Sequence, residues 1–93
     1  MKSIICNDKC CYLCGSTENL EEHHCLHGTA NRKLADKYGL TVMLCEKHHR
    51  RSPEGVHGGN TAVDLLLKRI AQLYFEMKYT HEKWMQVFGR NYL

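Results

Sequence analysis

Two short cysteine and histidine clusters, thirty residues apart, constrain this chain more than any other feature. The first is Cys11-Tyr12-Leu13-Cys14-Gly15 and the second is Cys45-Glu46-Lys47-His48. Each places two metal-binding side chains on one turn. A tetrahedral zinc ion with a structural role takes four thiolate or imidazole ligands and leaves no open position. Cys11, Cys14, Cys45 and His48 are therefore the expected ligands of a structural Zn2+. Using Cys10 instead of Cys11 would stretch the first spacing to x3, so Cys11 is preferred. Cys25 reads as a small buried apolar residue, and Cys6 and Cys10 carry no assignment.

The chain needs such a staple. At 93 residues it is read as one domain, and a chain of this size buries only roughly two-thirds of its unfolded surface. The six cysteines favour metal over disulfides if the compartment is reducing. The N-terminal residues show no signal-peptide pattern, and no run approaches the ~20 apolar residues of a membrane span. The expectation is a cytoplasmic protein with no membrane partner. The net charge of +3 is a weak pointer to nucleic acid.

The expected elements follow from local pattern. Ser3 to Ile5 could pair as an edge strand, and Leu20 to Cys25 reads as extended. A short helix falls within 28–37, stopped by Gly39. Leu40 to Leu44 is the clearest strand, and Cys45 to Arg51 a helical turn broken at 52–55. A strong helix runs from Thr61 to about Tyr79, with Thr61 and Asp64 as its N-cap pair. Val63, Leu66, Leu67, Ile70, Leu73, Tyr74 and Met77 form its apolar face. A last helix, His81 to Phe88, is capped by Thr80 and stopped by Gly89, with Trp84, Val87 and Phe88 docking it. The fold class is α+β. Residues 11–60 form the zinc core and 61–93 a helical support.

Histidines between and beside the zinc ligands suggest chemistry. Glu21-Glu22-His23-His24 precedes Cys25, and His49 follows His48. Adjacent residues on a strand face opposite ways. Imidazole serves both as a metal ligand and as a general base near neutral pH. A cation held by His23 and His49, with His24 taking a proton from water, would suit phosphodiester hydrolysis. A histidine pair alone is more often structural; its position between the zinc halves is what raises the catalytic reading.

Cys-x2-Cys-Gly, then Glu-His-His, then Leu-Cys-x2-His-His-Arg resembles the HNH endonucleases of the zinc-containing ββα-metal (His-Me finger) type, above all the small bacteriophage and prophage members. A more distant likeness is to phage recombination-enhancement nucleases. The motif match covers residues 11 to about 60, and the ending Phe88-Gly89-Arg90-Asn91-Tyr92-Leu93 extends it. The resemblance implies a treble-clef-like ββα-metal finger, a bacterial or phage-infected cell, and recombination or packaging proteins as partners. It implies that His24 is the general base and that His23 and His49 bind a catalytic Mg2+ or another divalent cation. Many members carry an orienting Asn five residues before the third zinc ligand, where this chain has Leu40; Asn31 is the nearest substitute. His57 is a further candidate for the metal shell, and His27 for a loop position near substrate.

Arg32, Lys33 and Lys37, with Lys47, Arg50 and Arg51, are candidates for phosphate contacts that position DNA without reading its sequence. Any one of them could equally be a solvated surface charge. Two other functions fit parts of the pattern. A non-catalytic treble-clef zinc module binding nucleic acid or protein explains the four zinc ligands but leaves His23, His24 and His49 idle. An RNA-directed nuclease would use the same chemistry, though the aromatics cluster in the C-terminal helices rather than on a stacking surface.

Overall fold

The computed structural model describes residues 2–50, 55–57 and 59–93. Arg51 and the expected helix break at 52–54 lie outside them. The fold is a small α+β arrangement: β1 (Leu20–His24), α1 (Thr29–Tyr38), β2 (Thr41–Cys45), α2 (Glu46–His49), α3 (Thr61–Lys78) and α4 (His81–Phe88).

The two strands pair antiparallel, with Leu20 opposite Cys45, Glu21 opposite Leu44, His23 opposite Val42 and His24 opposite Thr41. Val42 and Leu44 are buried, as expected of a branched, apolar strand. The register has a direct consequence. It places the N-terminal end of β1 beside the start of α2, so residues more than twenty apart meet.

The Cys11–Cys14 turn is fastened to the sheet. Tyr12 N–H donates to the Met43 carbonyl at 2.8 Å, while Gly15 N–H closes the turn on Cys11 O at 2.8 Å. Ser3 to Ile5 is not a strand. The Ser3 hydroxyl donates to Thr41 O at 2.6 Å and accepts from the amides of Ile5 and Cys6. A serine side chain thus takes the backbone partners that a ladder would have used.

Gly39 ends α1 in the left-handed conformation, φ 71°. A Cβ there would lie 2.5 Å from the backbone oxygen of Lys2. Strain and clash act together, so Gly39→Ala is expected to cost about 1–3 kcal/mol. Urea unfolding checks it; an unchanged midpoint would show that the N-terminal segment moves aside freely.

The helical half is built on aromatics. Phe75 and Trp84 are fully buried with ring centroids 5.3 Å apart, and Tyr38 of α1 meets Phe75 at 5.2 Å. Thr80 caps α4 by accepting from Lys83 N–H at 3.0 Å, and Gly89 stops it. Two expectations for α3 are corrected. Its cap is Asn60, whose side chain accepts from Val63 N–H at 3.2 Å, which frees Asp64 for another role. Its buried stripe is Leu67, Ala71, Gln72 and Phe75, whereas Leu66, Leu73 and Met77 are exposed. The aromatic cluster selects the face carrying Phe75, so the wider apolar arc cannot all turn inward. Buried Gln72 donates to Glu76 and Asn91 and accepts from Tyr92 N–H, which ties the C-terminal residues to α3.

Candidate metal centres and cleft

Cys11, Cys14, Cys45 and His48 converge, with their ligand atoms all within 4.8 Å of one another. Cys14 Sγ lies 3.7 Å from Cys45 Sγ, and His48 Nδ1 lies 3.2 Å from Cys45 Sγ and 3.9 Å from Cys11 Sγ. Ligands at zinc bond lengths, about 2.3 Å for sulfur and about 2.1 Å for nitrogen, would stand roughly 3.5–3.8 Å apart at tetrahedral corners. The four side chains fit a metal ion such as zinc. Burial pushes the Cys11 thiol up, but hydrogen bonds to the backbone of Cys45, Cys14 and Leu13, helped by the Cys14 side chain, outweigh it and hold its pKa below the ordinary value. This favours the thiolate that a metal requires. Cys25 behaves oppositely: it is fully buried and its pKa is pushed up to about 12 by that burial. It is an inert core residue.

His48 and His49 are consecutive on α2, so their rings diverge by about 100°. His48 joins the cysteines. His49 turns to a cleft of about 690 Å³, lined among others by His23, His24, His27, Arg32, Arg50 and His57. His23 is 1% exposed and sits at its base. Its ring centroid is 5.3 Å from His49, 5.4 Å from His57 and 5.5 Å from His27, and His49 is 4.7 Å from His57. The amide of His57 donates to the His49 carbonyl at 2.8 Å, which returns the chain to the cleft.

Neither ring nitrogen of His23 has a hydrogen-bond partner among the described residues. A buried imidazole left so is costly unless a cation takes its lone pair. Burial first, and then the neighbouring imidazoles of His49, His27 and His57, hold its pKa down to about 3. His23, His49 and His57 bring their ligand atoms within 4.8 Å of one another, a set that fits a divalent cation. The donors are all nitrogen. Imidazole suits zinc, nickel, copper or iron, whereas Mg2+ prefers oxygen, so the expectation of Mg2+ finds no support in this set.

Carboxylates stand behind the rings. Glu21 accepts from His49 Nδ1 at 3.0 Å and from Arg50 Nε at 2.9 Å. Those contacts, His49 foremost, hold its carboxyl below the usual range. This leaves His49 Nε2 as its coordinating nitrogen, the arrangement that fixes many metal-bound histidines. Asp64, at the start of α3, holds His27 by a hydrogen bond and pairs with Lys68 at 2.8 Å.

His24 lies on the opposite side of β1 from His23. Its Nε2 donates to Asp36 Oδ1 at 2.7 Å, with Glu22 3.6 Å away. It lines the cleft but is not one of the rings gathered about His23. Asp36, not Asn31, meets His24; Asn31 lies half-buried within α1. Arg32 and Arg50 reach the cleft, whereas Lys33, Lys37 and Lys47 are exposed and are not among its lining residues.

Glu21, Asp36 and Asp64 escape sequence reasoning because each meets its histidine only through tertiary structure. The Glu21-Glu22 run preceding His23 was the sole local hint.

The neutral state of His23 predicts an acid-sensitive fold. Its folded pKa, about 3, lies below the ordinary 6.5, so the unfolded chain binds the extra proton below pH 6.5. The stability is complete above that value. It declines as pH falls from about 6.5 towards 3, by up to about 1.4 kcal/mol per pH unit. Denaturation at pH 7 and pH 5 measures the slope, and His23→Phe should flatten it; an equal slope in the variant would assign it to other groups.

No described helix is long and apolar enough to cross a membrane. Compared with protein-family models, curated proteins and solved structures, the chain finds no match to any of them.

Proposed function

We propose that this protein is a metal-dependent DNA endonuclease or nickase of the HNH, ββα-metal type, with a separate structural zinc. The observation that carries the reading is His23, a buried ring whose two nitrogens have no partner among the described residues, at the base of an open, arginine-rimmed cleft. A purely structural zinc module has no use for it.

In this reading Cys11, Cys14, Cys45 and His48 hold the structural zinc. His23, His49 and His57 hold the second cation, which when bound supplies charge stabilisation to the phosphate and its leaving oxygen. His24 is the general base. Its Nε2 proton is engaged by Asp36, which leaves Nδ1 to accept a proton from water. Asp36 thereby fills the orienting role sought for Asn31. Arg32, Arg50 and the open N-terminal end of α1 at Gly28 and Thr29 would receive backbone phosphate. None of these contacts reads a base, so weak sequence preference is expected.

The test is nicking of supercoiled plasmid with Ni2+, Mn2+, Zn2+ or Mg2+, against chelator and against His24→Ala, with single-stranded and duplex RNA in parallel. Metal-dependent nicking lost in the variant supports the proposal. Cleavage confined to RNA would redirect it to an RNA-directed nuclease, and equal residual cleavage in the variant would end it.

A further inference from the structure

A second triad shares the cleft. His23, His27 and Asp64 also bring their ligand atoms within 4.8 Å of one another. His27 meets His23 and His57 ring to ring, with centroids 5.5 Å away in both cases, while no such pairing joins it to His49 among the described residues. The two triads share His23 and differ in their other members, so they mark two candidate positions rather than one four-histidine position. We propose that the cleft holds a second transition-metal cation at His23, His27 and Asp64, beside the one at His23, His49 and His57.

The case rests on the stoichiometry of His23 itself. A neutral imidazole offers one lone pair and one N–H. A single cation would satisfy one nitrogen and leave the other buried without an acceptor, and among the described residues neither has a partner. Two cations satisfy both. His23 then gives one nitrogen to each ion, and its remaining N–H proton passes to solvent. At His27 the proton shared with Asp64 moves to Nδ1 by a tautomer change, which leaves Nε2 and the Asp64 carboxylate to the other cation. Asp64 brings a carboxylate to a pocket otherwise made of imidazoles, and Lys68 at 2.8 Å fixes its orientation from behind. The two imidazoles and one carboxylate suit a first-row transition metal. This inference rests on reading His23, His49 and His57 as a cation site, though not on nuclease activity.

The test counts metal in the full chain, purified with its zinc, loaded with excess Co2+, desalted and assayed by elemental analysis and native mass spectrometry. Wild type should carry two Co2+ in addition to one Zn2+. Asp64→Asn and His27→Ala should each carry one Co2+, as should His49→Ala, with far-ultraviolet circular dichroism unchanged. Asp64→Asn is near-isosteric, so it keeps the test valid if His27→Ala misfolds. A single Co2+ in wild type, or two in Asp64→Asn, would overturn the proposal. Two ions without plasmid nicking would sink the proposed function and leave this site standing.

Discussion

Removing the metal proposed at Cys11, Cys14, Cys45 and His48 is expected to unfold the protein. Structural zinc sites contribute about 10–16 kcal/mol of apparent binding free energy in small peptides, and whole domains are stable by only about 5–15 kcal/mol. In this chain the four ligands tie the Cys11–Cys14 turn to the end of β2 and the start of α2. Without the ion, Cys11, Cys14 and Cys45 face one another as thiols or repelling thiolates, and His49 loses its placement. A strong chelator, or Cys45→Ser, should abolish cooperative unfolding as followed by circular dichroism. Trp84 reports whether the helical half goes with it, since its indole is buried and donates to Arg90 O at 2.7 Å. Coincident loss of the Trp84 fluorescence signal is the expected outcome for one domain. A zinc-free chain with native circular dichroism would refute the structural role.

Under the proposed nuclease function, replacing His24 by alanine is expected to lower cleavage by roughly 10²–10⁴-fold, the usual contribution of a positioned base. Because His24 is not gathered with the rings around His23, the loss should fall on turnover while cation binding is kept. Asp36→Asn tests the partner. An amide can present its NH2 to Nε2 and reverse the tautomer, turning Nδ1 from acceptor to donor. A drop of about 10–100-fold follows from the usual worth of such supporting contacts, together with a displaced pH profile. Full activity in Asp36→Asn would mean that another group holds the ring.

What the sequence made legible divides cleanly by range. The four proposed zinc ligands came from spacings of two residues, and the caps at Thr80 and Gly89 from local chemistry; the structure brings both sets into place. The carboxylates behind the histidines were not readable, because Glu21 and His49 are 28 positions apart and His27 and Asp64 are 37 apart. Asp64 was even misread as a capping residue, since three-residue spacing from Thr61 is a pattern with its own local meaning. The buried face of α3 failed for a related reason. Apolar residues ring most of that helix, and only the aromatic cluster around Phe75 decides which arc turns inward.

The adjacency of His48 and His49 has a consequence for how this chain can vary. One peptide unit is the whole spacer between two chemically different centres, and helical pitch alone sorts the rings to either side. A residue inserted between them would swing the second ring through about 100° and pull it off the cleft while sparing the cysteines' partner. Changes of length should therefore be tolerated in the turns outside α2 far sooner than at this junction.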